Sequence, residues 1–419
     1  MKKSLNLTFY NKIINKIRIG IFTYSWRNGG TQRMSALLLN YLYKIKLFNL
    51  FLFSQKYKQI NEYIIPNDIK RIVIPKSELN SLPKKIYKKK LNIFIFQFPY
   101  DYTIKLLNNL KNNKIIFFQH YSLFYWLYKN YSSFNSLYKN YKDSKYVISL
   151  VPFENDYIFQ KWGIRSLLMN NFVTYEYNFV ISSDLSSKTI LMVGRSHDKF
   201  KRLELGILAM EYVINEYPYY EMNIISNITN ESILIKLVHN LNIKENIKFV
   251  GYSSTPEIYY KNCSLHIFPS ISESFGLVLS ETKIYGIPNI LIGLDYLSLS
   301  KGGTFIIYDD MPEILAIQSL KILKNDITKN ILAKEARRSM LKFKNEQLLK
   351  EWVKLIIAIY NGDNNYVELR KNQKYLSNKV LLNLLKNQIK LLKMRIPNFI
   401  NITLKDFLNF SFLEQFKIN

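Results

Sequence analysis

Short apolar runs alternate with segments of helical periodicity along most of the chain. A short apolar run bounded by polar or glycine positions is typical of a buried strand, and apolar residues recurring every three or four positions are typical of a helix. Alternation of the two predicts α/β domains with parallel sheets. The predicted strands are residues 17–22, 114–119, 189–194, 246–251 and 264–268, and helical patterns occur at 34–39, at 205–210 and from 277 onward.

The segment after the last of these strands combines a polar turn with an acidic residue at each end. Ser272, Glu273 and Ser274 offer side chains that cap a helix, and Gly276 lets a ligand approach the backbone closely. A helix start presents unpaired N–H groups and a partial positive charge, which suits a diphosphate. Glu273 and Glu281 would be about 12 Å apart in a fully helical span, too far to share one proton or one metal. Either they hold two parts of one elongated ligand, or Glu273 merely caps the helix and Glu281 is a solvated surface acid.

A basic loop follows the predicted strand at 189–194. Arg195 comes first, and Lys199, Lys201 and Arg202 come shortly before the next helical pattern. An arginine offers a two-pronged donor for phosphate oxygens and a lysine offers a compact charge. The loop therefore either binds a diphosphate or is a solvated charge cluster between a strand and a helix.

The spacing of the two acids resembles the E-x7-E signature of retaining glycosyltransferase family 4, which has the GT-B fold: two α/β, Rossmann-like domains facing across a cleft. The resemblance covers about residues 17 to 360 and is most specific at 189–286. It implies that Arg195 and Lys201 bind the donor diphosphate. It also implies that Glu273 orients the donor sugar and that Glu281 binds the ribose hydroxyls. The other donor-binding positions that it implies in this segment are Ser274, Phe275, Gly276 and Leu277.

Three further loops resemble functional loops of the same family. Gly251 ends a predicted strand and would lie against the nucleotide base. Gly29 and Gly30 open a helix near the N-terminus and would bring the backbone close to the phosphates. His120 follows the predicted strand at 114–119 and, by the resemblance, would lie near the reacting sugar.

The other histidines fit a role at the site less well. His197 lies in the basic loop, where it either touches phosphate or is simply exposed. His239 lies on a helical pattern, and His266 lies inside an apolar, buried-looking strand.

The length of 419 residues and the apolar content of 48% are sufficient for two domains with full cores. We expect an acceptor-side domain at 1–180, a nucleotide-sugar-binding domain at 181–345, and C-terminal helices at 346–419 that cross back to the first domain and include a basic amphipathic tail. We expect residues 163–171 and 182–187 to form the interdomain linker. Because ligands bind beyond the carboxyl ends of parallel strands, the active site is expected in the cleft between the domains.

The expected function is that of a hexosyltransferase-like, retaining enzyme that uses a nucleotide-diphosphate sugar. Its partner would be a glycan or lipid-linked acceptor in glycan, polysaccharide or glycolipid synthesis, and the resemblance implies that the leaving diphosphate helps to accept the acceptor proton. The chain contains no Asp-x-Asp metal motif, consistent with metal-independent chemistry without a cofactor. The alternatives are a GT-B sugar-nucleotide epimerase, an inactive GT-B scaffold and a basic nucleic-acid-binding protein.

The single cysteine, Cys263, excludes an internal disulfide framework and a cysteine-based zinc site. It also fits a reducing compartment, and we expect it to be a buried core thiol. The first ten residues lack the long apolar region of a signal peptide, and no uninterrupted apolar run approaches the length of a membrane span. We therefore expect a cytoplasmic protein, either soluble or peripheral on the cytosolic face of a membrane.

The formal net charge of +28 indicates an anionic partner. The lysine run at 84–90 fits nucleic acid, an anionic membrane surface or a solvated face. Residues 379–396 place leucines and isoleucines on one helical face and lysines on the other, and Pro397 ends the pattern. This helix favours a membrane over nucleic acid: it either lies at an anionic membrane surface or packs on the protein with its lysines in water.

Overall fold

A computed structural model of the chain describes residues 17–27, 29–97, 114–125, 138–139, 141–142, 144–228, 232–253 and 255–395. The first ten residues and Pro397, on which two of the predictions above rest, lie outside these ranges. The described residues form two compact units. The first unit consists of the described residues up to Phe172 together with Asn345–Leu376, and the second consists of Val173–Lys344 together with the described residues from Ser377 onward.

The predicted strands and helices are present, with boundaries shifted by a few residues. The strands are β1 (Arg18–Thr23), β2 (Asn49–Ser54), β3 (Lys70–Val73), β4 (Ile93–Phe96), β5 (Lys114–Phe118), β6 (Tyr146–Ser149), β7 (Leu167–Leu168), β8 (Thr189–Val193), β9 (Glu221–Ile225), β10 (Ile247–Phe249), β11 (Leu265–Phe268), β12 (Asn289–Ile292) and β13 (Thr304–Ile307). The helices are α1 (Gly30–Lys44), α2 (Leu82–Lys88), α3 (Pro152–Trp162), α4 (Leu203–Glu216), α5 (Ile233–Asn240), α6 (Glu257–Tyr260), α7 (Leu277–Ile284), α8 (Pro312–Leu323), α9 (Asp326–Met340), α10 (Asn345–Asn361), α11 (Asn364–Lys371) and α12 (Asn378–Arg395).

The first unit is built on a sheet with the strand order β3-β2-β1-β4-β5-β6-β7, in which every neighbouring pair is parallel. Its strands are apolar because both faces of a parallel sheet are covered. Aromatic rings fill the core, with Phe22 stacked on Phe96 at 4.7 Å and Phe53 edge-on to Phe94 at 5.2 Å. The strand order reverses between β1 and β4, so a crevice opens there at the carboxyl ends of the strands.

The second unit repeats this plan with the strand order β10-β9-β8-β11-β12-β13, again entirely parallel. One apolar core joins the sheet to the helices of this unit, including α4 and α8. The order reverses between β8 and β11. The two loops that carry the candidate site residues, those after β8 and β11, therefore leave neighbouring strands at the switch point of this sheet.

Part of the predicted linker belongs to the first sheet. Residues 163–171 include β7, which pairs with β6, and the division between the units falls directly afterwards, at Phe172 and Val173. A two-residue strand is too short to produce a recognisable apolar run, so the sequence pattern resembled a connection.

The C-terminal amphipathic pattern forms α12, and its leucine face is buried. Of the two interpretations left open by the sequence, a helix packed on the protein is the one the structure shows. Asn387 donates a hydrogen bond to Asp295 Oδ2 at 2.9 Å, and Gln388 donates to Asp295 Oδ1 at 3.0 Å and to the carbonyl oxygen of Gly293. The buried apolar residues of α12 are Leu381, Leu382, Leu385, Ile389, Leu391 and Leu392.

Candidate functional site

Lys201 and Glu273, predicted from separate motifs, are in direct contact in the second unit. Lys201 Nζ forms an ion pair with Glu273 Oε1, and 21% of the lysine side chain and 14% of the glutamate side chain remain exposed. Lys201 follows β8 and Glu273 follows β11, so the pair lies beside the switch point of the second sheet. The topology thus brings together a cation and a carboxylate that are far apart in sequence.

The backbone around this ion pair is held by hydrogen bonds between the two loops. The N–H of Ile271 donates to the carbonyl oxygen of Phe200 at 2.8 Å, directly before Lys201. Tyr296 holds the backbone of Glu273 from the other side: its hydroxyl accepts from the Glu273 N–H at 3.2 Å and donates to the Glu273 carbonyl at 2.9 Å. Tyr296 was not predicted from the sequence, because no motif surrounds it.

Arg195 is not in contact with Glu273 but forms an ion pair with Asp198, three residues further along the same loop. The distance from Nη2 to Asp198 Oδ2 is 2.5 Å, and 61% of the arginine side chain is exposed. His197 and Lys199 in this loop are also exposed. Arg195 is therefore a solvent-facing cation close to the predicted diphosphate position.

The helix after β11 begins later than the sequence predicted. Its N-cap is Gly276, with a φ of 81°, so the predicted capping residues Ser272, Glu273 and Ser274 lie in the preceding turn. A positive φ is readily adopted by glycine, which explains why the helix starts there. Because Gly276 has no side chain, it gives no side-chain acceptor to the first N–H groups of α7, which suits the binding of an anion.

The predicted donor-binding residues around Gly276 differ in their burial. Phe275 is buried and lies edge-on to Phe343 at 5.7 Å between ring centroids, so its side chain supports the turn. Ser274 and Leu277 are half-buried. The backbone groups of this turn and the Ser274 hydroxyl are therefore the groups suited to contact a ligand. The donor-binding role of these residues stays a prediction.

Glu281 is buried, contrary to the interpretation of a solvated surface acid. Its carboxylate accepts hydrogen bonds from Thr174 Oγ1 at 2.8 Å and from the Tyr260 hydroxyl at 2.7 Å, and the residue is 1% exposed. A carboxylate can accept further hydrogen bonds at its remaining lone pairs. A ribose hydroxyl nevertheless reaches it only if the neighbouring side chains move.

Gly251 follows β10, which lies at the edge of the second sheet, with β9 between it and β8. Its φ is 81°, and no atom lies within 4 Å of a Cβ built at this position. The space beside Gly251 is open to a flat ligand. The contact of Gly251 with the nucleotide base stays a prediction.

In the first unit, Gly29 and Gly30 lie at the start of α1, after β1. Gly29 is the N-cap with a φ of 120°, and Gly30 is the first helical residue. The hydroxyl of Tyr63 donates to the Gly29 carbonyl oxygen at 3.3 Å and helps to fix the turn. As at α7, a glycine cap leaves the helix start without a side-chain acceptor from the cap residue.

His120 lies at the carboxyl edge of the first sheet and is buried. Its Nε2 contacts Gln97 Oε1, and its ring lies 4.2 Å from that of Phe118. Burial lowers the pKa of His120 to about 3, so the imidazole is neutral at physiological pH. Gln97 was not predicted from the sequence as a site residue. Its position directly after the apolar strand β4 could have indicated it.

Glu154 is a second buried titratable group at this edge that the sequence did not reveal. Its Oε1 accepts a hydrogen bond from the Leu123 N–H at 2.6 Å, three residues after His120. Burial raises the pKa of Glu154 to about 8, although this hydrogen bond opposes the shift. Glu154 therefore helps to fix the backbone that follows His120.

His266 and Cys263 are buried in the second unit, whereas His239 is exposed. His266 is buried in β11 and bonded to Asn289 Oδ1 at 2.7 Å, and burial lowers its pKa to about 4. Cys263 is a buried thiol, as predicted, and burial raises its pKa to about 12. His239 is exposed on α5.

Asp310 connects the basic loop to the C-terminal helix. Its Oδ1 lies 2.7 Å from Arg202 Nη1, directly after Lys201, and its Oδ2 accepts from Arg395 Nε at 2.7 Å. Burial acts to raise the pKa of Asp310, but the two arginines outweigh it and hold the pKa below its usual range. The sequence did not indicate this bridge, because its three members are far apart along the chain.

A separate cavity of about 530 Å³ lies in the second unit at the far end of α7. It is lined by residues 182–186, Gly286 and one face of α9, and it contains none of the predicted site residues. Within the described ranges, no three histidine, cysteine or acidic side chains are grouped as metal ligands would be. None of the helices described is long and apolar enough to cross a membrane.

Part of the chain is similar to known proteins. Residues 175–339 match the family model described as glycosyl transferases group 1, which supports a glycosyltransferase. The chain is also 23% identical over 161 residues to the poly(ribitol-phosphate) alpha-N-acetylglucosaminyltransferase of Staphylococcus aureus (strain COL). That match covers 37% of this chain and 32% of the relative, about a third of its length.

Solved structures define the fold. Sucrose-phosphate synthase from Thermosynechococcus elongatus is similar with a TM-score of 0.68 and 16% identity, over 83% of this chain and 100% of that one. Alr3699/HepE from Anabaena, in complex with UDP and glucose, is similar with a TM-score of 0.67 and 12% identity, over 82% and 100% of the two chains. The chain has the GT-B fold, which confirms the predicted fold class.

Proposed function

We propose that the protein is a retaining glycosyltransferase of the family 4 type that moves a hexose-type sugar from a nucleotide-diphosphate donor to an acceptor hydroxyl without a metal ion. The match of residues 175–339 to glycosyl transferases group 1 supports the reaction class. The observation that carries the proposal is the contact of Lys201 with Glu273 at the switch point of the second sheet. This is where open parallel sheets bind their ligands.

The ion pair explains how the site would exchange partners when the donor binds. A diphosphate carries more charge than one carboxylate and would replace Glu273 as the partner of Lys201. Glu273 would then be free to accept hydrogen bonds from sugar hydroxyls. Arg195, already exposed, would leave Asp198 to reach phosphate oxygens.

The same groups would stabilise the charge that develops as the glycosidic bond breaks. Lys201, Arg195 and the first N–H groups of α7 are positive, and stabilisation of a leaving group by such prearranged donors is usually the largest catalytic term. In a retaining reaction of this type, an oxygen of the leaving diphosphate accepts the acceptor proton. His120 would meet the donor sugar as a neutral hydrogen-bonding imidazole, because its pKa is about 3.

The partners proposed for this chain are a nucleotide sugar and a glycan or lipid-linked acceptor. The solved structure of HepE contains UDP and glucose, and the curated relative is named as a poly(ribitol-phosphate) N-acetylglucosaminyltransferase. UDP-glucose and UDP-N-acetylglucosamine are therefore the first donors to test. Polyol-phosphate chains are the first acceptors.

The test is donor turnover by Lys201→Ala beside the matched control Lys199→Ala. Both lysines lie in the same loop, but Lys199 is exposed and forms no ion pair among the described residues. Losing one charge-assisted contact costs about 1.5–3 kcal/mol, so Lys201→Ala should lower turnover about tenfold or more, while Lys199→Ala stays near wild type. Equal activity of the two variants with every active donor would contradict the site.

The reaction class is tested by running the assay with and without acceptor. A glycosyltransferase forms a new glycoside only when acceptor is present. Conversion of the donor to a different nucleotide sugar in the absence of acceptor would instead favour the epimerase.

A further inference from the structure

The amino-terminal edge of the first sheet carries a row of positive side chains, which we call the basic edge. Arg18 and Lys114 are the first residues of β1 and β5, and Lys70 is the first of β3. Lys88 and Lys89 precede β4, and Lys145 precedes β6. All six lie opposite the carboxyl edge that carries His120.

These charges repel one another without being neutralised. Lys70 lowers the pKa of Lys89, with smaller contributions from burial, Lys88 and Arg18. Burial and then Lys145 lower the pKa of Lys114. No described carboxylate forms an ion pair with any member of the basic edge, and the nearby Asp68 accepts a hydrogen bond from the Tyr43 hydroxyl. Such a cluster attracts an external anion strongly.

The basic edge is a line rather than a patch. From β3 to β6 the sheet contains six strands, which span about 24 Å at about 4.8 Å between neighbours. Of the strongly exposed apolar side chains of this unit, Tyr57, Ile60 and Ile64 follow the carboxyl end of β2, Leu369 lies on α11, and Tyr87 lies next to the lysines. Amphipathic helices that lie in a membrane surface also insert apolar groups, and proteins that bind single-stranded nucleic acid stack its bases on several aromatic rings.

We infer that the basic edge binds a linear polyol-phosphate polymer, the acceptor of the transfer reaction, and holds it while another part of the polymer reacts. The identification of this polymer as the acceptor rests on the proposed function, whereas its binding to the basic edge does not. A chain of phosphodiesters matches a row of positive charges, and its polyol hydroxyls are glycosylation sites. Holding a polymer at a second site raises the local concentration of its hydroxyls without new contacts at the reacting centre.

The test compares two variants that each lose four positive charges. The edge variant is Lys70→Gln, Lys88→Gln, Lys89→Gln and Lys145→Gln, and the control variant is Lys236→Gln, Lys244→Gln, Lys261→Gln and Lys321→Gln in the second unit. All of these lysines are exposed except Lys89, which is half-buried, and none forms an ion pair with a described residue. Thermal unfolding of both variants should match that of wild type.

Binding is measured by fluorescence anisotropy with a labelled poly(glycerol phosphate) chain in the absence of donor. The edge variant should bind about tenfold more weakly or worse, with a shallower dependence of affinity on salt, and the control variant should stay within about twofold of wild type. Equal losses in both variants would overturn the inference, because they would show that only the net charge matters.

Two further probes decide whether the partner is a polymer of this class. Tighter binding of phosphatidylglycerol vesicles, or of an oligothymidylate with the same number of phosphates, through the same four lysines would overturn the inference. Donor hydrolysis by the edge variant should be unchanged. If the wild-type protein hydrolyses donor but does not bind the polymer, only the inference about the basic edge is contradicted, whereas normal turnover in Lys201→Ala contradicts the proposed reaction site.

Discussion

The two glutamates of the candidate site differ in their surroundings. Glu273 is partly exposed and pairs with Lys201, whereas Glu281 is buried between the hydroxyls of Thr174 and Tyr260. The two acids of one motif therefore stand in different environments. Substitutions at the two positions should have different consequences.

We expect Glu281→Ala to lower the stability of the second unit and Glu273→Ala to lower turnover. Removing Glu281 takes one acceptor from the buried Tyr260 hydroxyl and from the half-buried Thr174 hydroxyl, at a cost of about 1.5–3 kcal/mol for each hydrogen bond to a charged group. Thermal unfolding midpoints and rates of donor hydrolysis check both changes. Similar unfolding midpoints for the two variants would contradict this division.

Glu154 should make stability depend on pH. Its pKa is about 8 in the folded protein and near 4.5 in the unfolded chain, so its contribution is fully present below about pH 4.5 and is lost as the pH rises towards 8. Glu154→Gln retains an oxygen acceptor for the Leu123 N–H and cannot ionise. The free energy of unfolding of wild type, relative to this variant, should fall by up to about 1.4 kcal/mol per pH unit in that window.

Urea unfolding at several pH values measures this difference. The exposed Glu368, substituted by glutamine, is the control and should give no comparable trend. A pH-independent difference between wild type and Glu154→Gln would show that the buried carboxyl does not titrate in this way.

Part of the site was readable from the sequence because its motifs are local. Lys201 and Glu273 each follow a recognisable strand, and the topology of parallel sheets then places them together. The surroundings of Glu281 were not readable, since Thr174 and Tyr260 come from distant parts of the chain. Burial of a polar side chain depends on such partners and not on its own motif.

At the scale of elements, the helices α7 and α12 show how packing modifies a sequence pattern. The acidic and serine residues before α7 suggested a cap, but the backbone turns at Gly276 and the helix starts there. The leucine stripe of α12 suggested a membrane surface, but it is buried in the protein. An amphipathic pattern identifies the apolar face of a helix, but it does not identify the surface that packs against that face.

The contact of α12 with the second unit can be tested at Gly293. A Cβ at Gly293 would lie 1.9 Å from Leu391 Cδ1, whereas a Cβ at Gly163 would meet nothing within 4 Å. Both glycines have a positive φ, 64° and 69°, so alanine introduces similar backbone strain of about 1–2 kcal/mol at each. Gly293→Ala should cost about 1–3 kcal/mol more, through overpacking.

Thermal unfolding and hydrogen exchange in α12 report this difference. Gly293→Ala should lower the unfolding midpoint further than Gly163→Ala and should increase exchange in α12. Equal effects of the two substitutions would mean that Leu391 moves aside without loss.

At the scale of the whole molecule, the chain passes between the two units three times. It leaves the first unit after Phe172, returns at Asn345 and leaves again after Leu376. The alternation of strands and helices predicted both parallel sheets because it is a local signal. The expectation that the helices at 346–419 cross back to the first domain did not separate α10 and α11, which belong to the first unit, from α12, which belongs to the second, since membership depends on contacts between distant segments.

This connectivity predicts which fragments fold. Residues Val173–Lys344 alone should be poorly soluble, because they lack the leucine face of α12. The same fragment joined to Ser377–Arg395 through a flexible glycine-serine linker should be soluble and should unfold cooperatively. Solubility and thermal unfolding decide it, and a stable fragment without α12 would contradict the structural role assigned to this helix.

The bridge of Arg202, Asp310 and Arg395 connects α12 to the loop after β8. Arg202 adjoins Lys201, so the last described helix steadies the loop that would hold the donor. A protease that trimmed the protein shortly before Arg395 would therefore weaken donor binding while leaving every residue of that loop intact.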